Sequence, residues 1–171
     1  TAENQYPELL QKILGQVVRP DEGKFAAMAA ALAQSGIFIY VPKGLVVEQP
    51  LHSILWGPGE YLAFFSHILV YLEEGASLTY VNEAASPTYA GSQALHAGIV
   101  EIHVGEGANL RFVELQSWGE HVWNFSHERA RVSRAGNLDW IFGAVGSRVT
   151  KNFSDLDLIG EGATGRMSGF Y

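Results

Sequence analysis

One corner recurs through this chain at nearly even intervals. A strand-like run ends, a charged or small pair follows, then a glycine, then a new apolar run. The pattern reads "YVPKGLVV" at Gly44, "YLEEGASL" at Gly75, "HVGEGANL" at Gly107, "VSRAGNLDW" at Gly136 and "LIGEGATG" at Gly162. Successive glycines lie 31, 32, 29 and 26 positions apart. Five hairpins would explain the strands, but not one corner type returning at a period typical of stacked repeats. A solenoid explains both, because each circuit goes round once and its corner falls above the previous one. Glycine gives the backbone freedom that a tight corner under a close neighbour needs. The expected fold is therefore mainly β, a parallel β-helix with rungs about 4.8 Å apart.

The runs between corners suit that fold. "GIFIYV", "FSHILVYL", "ASLTYV", "GIVEIHV", "NLRFVEL", "WNFSHERARV", "NLDWIFGAV" and "FSDLDLIG" are rich in β-branched and aromatic residues. In "VEIHV", Val100, Ile102 and Val104 point one way while Glu101 and His103 point the other. A single circuit cannot shield its own apolar side chains, so stability is a sum of contacts between neighbouring circuits and the ends need caps. "GATGRMSGFY" stops just after a corner with neither polar cap nor closing helix, which predicts a β-helix truncated at its C-terminal end.

The first 35 residues read differently. Leu9, Leu10, Ile13, Leu14, Val17 and Val18 form one apolar stripe at helical spacing. A second helix is expected to start at Pro20-Asp21-Glu22, to carry Phe25, Met28 and Leu32 on one face, and to stop at Gly36. The expected organisation is an α-helical segment over 1–35, capping or flanking a β-helix core over 36–171.

Composition removes several function classes. The net charge is −7 with no Lys/Arg cluster, so no nucleic acid or anionic membrane surface is an expected partner. No apolar run approaches the roughly 20 residues of a membrane span, and "TAENQYPELLQK" has no signal-peptide layout. The chain has no cysteine, hence no disulfide and no thiolate, which fits a reducing cytoplasm. The "NFS" triplets at Asn124 and Asn152 then match the glycosylation pattern by chance.

Three constellations bear on chemistry. "GEGATG", residues 160–165, fits a dinucleotide fingerprint, but no helix follows it and "GEGA" recurs at 105–108 in a matching corner, so it reads as structure. The histidines His52, His67, His96, His103, His121 and His127 form no HxH or HxxxH pair. His121 beside Glu120 and His127 beside Glu128 are the pairs nearest to a metal-ligand pattern, and would serve a cupin-like metal enzyme. Asp155 and Asp157 share one strand face, as acid/base carboxylates of a polysaccharide-acting β-helix would, although no second acidic pair lies in register. No catalytic residue is assigned, and no metal ligand set is fixed.

The segment "KFAAMAAALAQSGIFIYVPKGLVVEQPL" resembles the signature of the SufB/SufD family of iron–sulfur cluster assembly scaffolds. "HILVYLEEGASLTYVNE", "EIHVGEGANLRFVELQ" and "DLDLIGEGATGRMSG" are similar to its successive circuits, so the likeness covers most of residues 24–171. The resemblance implies a right-handed β-helix in a non-catalytic scaffold that works with SufB and the ATPase SufC in iron acquisition or cluster formation. The lack of cysteines favours the SufD branch. The family's ATPase-binding and interface residues lie toward its C-terminus and match no position here, so none is transferred. No cofactor is expected in this fragment; the resemblance implies iron or an iron–sulfur cluster in the full complex. The unfinished last circuit also predicts self-association near Phe170 and Tyr171.

Overall fold

The computed structural model describes residues 2–57 and 59–171. Ten strands follow three short helices: α1 (Ala2–Gln5), α2 (Pro7–Ile13) and α3 (Lys24–Leu32), with a 3-10 turn at Pro20–Glu22. The strands are β1 (Ser35–Val41), β2 (Leu51–Trp56), β3 (Ala63–Leu72), β4 (Ser77–Ala85), β5 (Ala94–Val104), β6 (Asn109–Ser117), β7 (Val122–Val132), β8 (Asn137–Ala144), β9 (Val149–Leu158) and β10 (Thr164–Phe170). Odd strands form one five-stranded sheet and even strands a second, and every strand pairing within them is parallel. Each rung is thus one odd and one even strand joined by a corner, and about five rungs stack into a flattened parallel β-solenoid.

Stacking in register is what makes the core. Val41, Leu72, Val104, Val132 and Leu158 occupy one column, and Ile39, Val70, Ile102, Ala130 and Leu156 the next. On the facing sheet Tyr80, Phe112 and Trp140 stack with ring centroids 5.5 and 5.6 Å apart, all within 1% of complete burial. In the inner rungs each of these side chains is kept dry chiefly by its equivalents above and below, whereas Leu158, on the last odd strand, is half exposed.

Four of the five corners turn at the glycine the spacing points to, and one does not. Gly44, Gly75, Gly107 and Gly162 have φ between 63° and 70°; in the fourth corner the left-handed residue is Ala135, φ 52°, not Gly136. Ladder bonds fix this register: Gly44, Gly75, Gly107 and Ala135 each donate N–H to the next corner's Glu74, Glu106, Arg134 and Glu161 carbonyl at 2.8–2.9 Å. Gly136 sits instead where Ala76, Ala108 and Ala163 sit, closing the turn back onto Ser133 at 3.0 Å. A Cβ there would lie 3.0 Å from the Gly105 and Ser133 carbonyl oxygens. "SRAG" can be aligned to "GEGA" in two ways, and the ladder selects the one that looks worse locally.

The N-terminal elements flank the solenoid. α3 lies across the outer face of the odd sheet, against β3, β5 and β7. Phe25 stacks on Phe125 at 3.8 Å, and Val18 and Ala29 pack on Ala97 and Ile99. Three local expectations change. The first apolar stripe is not one helix: α2 ends at Ile13, and Val17 and Val18 are buried in a bend beyond Gly15, φ 71°. The buried face of α3 is Ala26 and Ala29, while Leu32 is half exposed. Gly36 does not stop α3, which ends at Leu32; it lies inside β1, where a Cβ would collide with the His67 carbonyl oxygen.

Candidate functional site

Two polar structures stand out, one outside the odd sheet and one between the sheets. The outer one begins at Glu101, on the polar phase of β5. α3 and the segment before it cover that face, so Glu101 is fully buried. Its Oε1 accepts the Val17 and Val18 N–H groups at 2.7 and 3.0 Å, and its Oε2 accepts Gly15 N–H at 2.8 Å and His67 Nε2–H at 2.8 Å. Burial pushes this carboxyl up, but those donors outweigh it and hold it below the usual carboxylate range. One strand over, Arg129 donates to the Val17 carbonyl at 2.9 Å, to both Glu22 oxygens at 2.7 and 2.9 Å, and to Asp155 at 2.7 Å. Glu101 and Arg129 together clip residues 15–22 to the sheet.

The inner structure arises where interior-facing positions turn polar. Along β6 the inward phase runs Leu110, Phe112, Glu114, Gln116; along β7 it runs Asn124, Ser126, Glu128, Ala130, Val132. These side chains, with Ser66, Asn82, His96, Trp118 and Asn152 among others, border a cavity of about 30 Å³. His96 donates Nδ1–H to Asn124 at 2.6 Å and accepts Ser66 O–H at Nε2, 2.9 Å. Burial lowers its pKa to about 4, so it is a neutral hydrogen-bonding residue. Glu114 and Glu128 face each other from opposite sheets. Burial pushes both carboxyls up, and the Glu128 charge pushes Glu114 well above its ordinary value. Ser126 and Ser154 donate to Glu128 at 2.6 and 2.8 Å. Glu114 Oε2 and Gln116 Nε2 are buried without a partner.

The histidines scatter. His67 serves Glu101 and His96 the interior; His52 lies 3.2 Å from Glu83, exposed on the even sheet. His103 stands beside Tyr71 on the outer face of the odd sheet. His127 and Glu128 are adjacent in a strand and point to opposite faces, so they cannot share an ion. His127 stacks on Phe153 at 4.6 Å, and His121 sits in the β6–β7 loop with Tyr89 N–H donating to its Nδ1 at 3.4 Å. Asp155 and Asp157 do share a face, but each lies in register with a cation, Arg129 at 2.7 Å and Arg131 at 3.7 Å. "GEGATG" forms the fifth corner. Among the described residues no three His, Asp or Glu side chains converge where a metal could sit. No helix among them is long and apolar enough to cross a membrane.

Sequence reasoning singled out neither Glu101, Arg129 nor Glu114, and it named Glu128 only as a companion of His127. Glu114 and Glu128 did leave a trace, since both fall on the apolar phase of their strands. Glu101 left none, because its phase is the one solvent normally takes.

The geometry defines a class: a two-sheeted parallel β-solenoid with its own helical strap and a partly polar interior. Residues 55–171 match the family model described as SUF system FeS cluster assembly, SufBD core domain, and residues 1–52 match the SufBD protein N-terminal region. The chain belongs to the SufBD family. It is 37% identical over 158 residues to an iron-sulfur cluster assembly SufBD family protein of Staphylococcus aureus (strain USA300), covering 92% of this chain and 34% of that protein. A counterpart from Staphylococcus epidermidis is 36% identical over the same coverage. The chain thus spans about a third of the length of these relatives.

Proposed function

We propose that this chain is part of a non-catalytic scaffold subunit of the SUF iron–sulfur cluster assembly system, acting in the cytoplasm with SufB and the ATPase SufC. Its substrate there is iron or the nascent cluster, in iron acquisition or cluster formation. The supporting observation is the pair of family matches that together run through all five rungs, on a ladder whose apolar interior is built from its own side chains. The absence of cysteine favours the SufD branch. Residues 1–35 serve as the helical segment and 36–171 as the core.

The competing readings lose their footing. A cupin is a closed jelly roll of antiparallel strands, whereas these strands pair in parallel. A polysaccharide-acting β-helix would set further carboxylates beside Asp155 and Asp157, and the positions in register with both are arginines. The test is co-expression of the full-length parent, tagged, with SufB and SufC from the same genome. Recovery of a complex containing both supports the proposal, and capture of neither overturns it.

A further inference from the structure

The polar chamber between the sheets raises a question of charge. Glu114 and Glu128 are 8% and 2% exposed, and no lysine or arginine borders the cavity they share. The remaining titratable group in its lining, His96, is committed to Ser66 and Asn124. Two facing carboxyls without a basic partner are balanced either by protons or by a divalent cation, since uncompensated charge is not tolerated in so dry a place.

The free hydrogen-bonding capacity favours the cation. Glu114 Oε2 points into the cavity without a partner, and so does the Gln116 amide, a residue 4% exposed. Thr150 Oγ1 donates to Gln116 Oε1 at 3.1 Å. A hydroxyl accepts as readily as it donates, so the amide can be turned over without losing that bond. Gln116 Oε1 then enters the cavity beside Glu114 Oε2 and the Glu128 carboxylate. Three hard oxygens suit Mn²⁺ or Ca²⁺ rather than a thiophilic metal. The space of about 30 Å³ admits one bare ion and not its hydration shell, which disfavours Mg²⁺. Among the described residues no third carboxylate borders the chamber, and His96 is committed to Ser66 and Asn124, so amide and hydroxyl oxygens complete the set. Asn152 borders both this chamber and a groove of about 630 Å³ at the β9–β10 end of the stack, which supplies an entrance.

We propose that the chamber between Glu114, Gln116 and Glu128 binds one divalent cation, admitted past Asn152 from the end of the solenoid. This site is independent of the assembly role and would exist without SufB or SufC. The test is titration of the metal-stripped chain with Mn²⁺, reading free Mn²⁺ by electron paramagnetic resonance and melting temperature in parallel. One ion per chain and a raised melting temperature are expected, with the double variant Glu114→Gln/Glu128→Gln losing affinity by ~100-fold or more. Gln116→Leu, which keeps both carboxyls, should weaken binding ~10-fold and covers the case in which the double variant does not fold. Asp155→Asn, on the outer face of the odd sheet, should leave the Mn²⁺ affinity unchanged. No Mn²⁺ bound by the parent chain, parental affinity in the folded double variant or in Gln116→Leu, or binding abolished by Asp155→Asn would each overturn the proposal.

Discussion

The Glu101 carboxylate accepts the Val17 N–H at 2.7 Å across 84 positions of sequence, and with the Val18 and Gly15 bonds it holds a bent segment that belongs to neither helix nor sheet. These backbone donors have been taken out of water by the same packing that buries Val17 and Val18. One side chain therefore replaces the hydrogen bonds that a helix or strand would have provided.

Its removal should be severe and local. Glu101→Ala leaves three backbone donors and His67 Nε2 without their acceptor and is expected to destabilise the chain by about 3 kcal/mol, read by denaturant unfolding. The pH dependence has a definite sign. The folded carboxyl lies below its ordinary value, so the stabilisation is complete above the unfolded pKa and is lost as pH falls through the folded one. Hydrogen exchange should show Gly15, Val17 and Val18 losing protection in acid before β5 does. Equal loss along both segments would refute the clip.

The fourth corner should be improvable. Ala135 holds φ 52°, a conformation that disfavours a Cβ by about 1 kcal/mol. Ala135→Gly is expected to stabilise the chain by roughly 0.5–1 kcal/mol, and Gly107→Ala to destabilise it by a similar amount. If thermal unfolding showed Ala135→Gly to destabilise the chain, the corner register described above would be wrong.

The outer edges of β9 and β10 carry backbone donors and acceptors that no strand of this chain pairs, next to exposed Leu158, Phe170 and Tyr171. Such edges are templates for another strand. Sedimentation of the 171-residue chain should show concentration-dependent association that a Lys substitution at Phe170 reduces. A monomer across the whole concentration range would count against it.

Much of the architecture could be read from residue order, because repeated corners and period-two runs are local signals. Eight of the ten strands carry them plainly. β2 and β10 do not: "LHSILW" follows two prolines within ten residues, and "TGRMSGF" is poor in β-formers and exposed throughout. Both are strands because the neighbouring rung offers them a ladder. The end of α2 was likewise misread, since Val17 and Val18 keep helical spacing while Glu101 draws their N–H groups away.

Spacing, alternation and corner chemistry were enough to specify a stacked parallel ladder, and the likeness of its quoted segments to known circuits pointed to the family, since each belongs to residues close in the chain. Which polar side chains went dry was settled only when the chain closed on itself. Burial depends on what lies opposite: α3 for Glu101, the facing sheet for Glu114 and Glu128. No local pattern carries the identity of a neighbour that arrives from a distant part of the sequence.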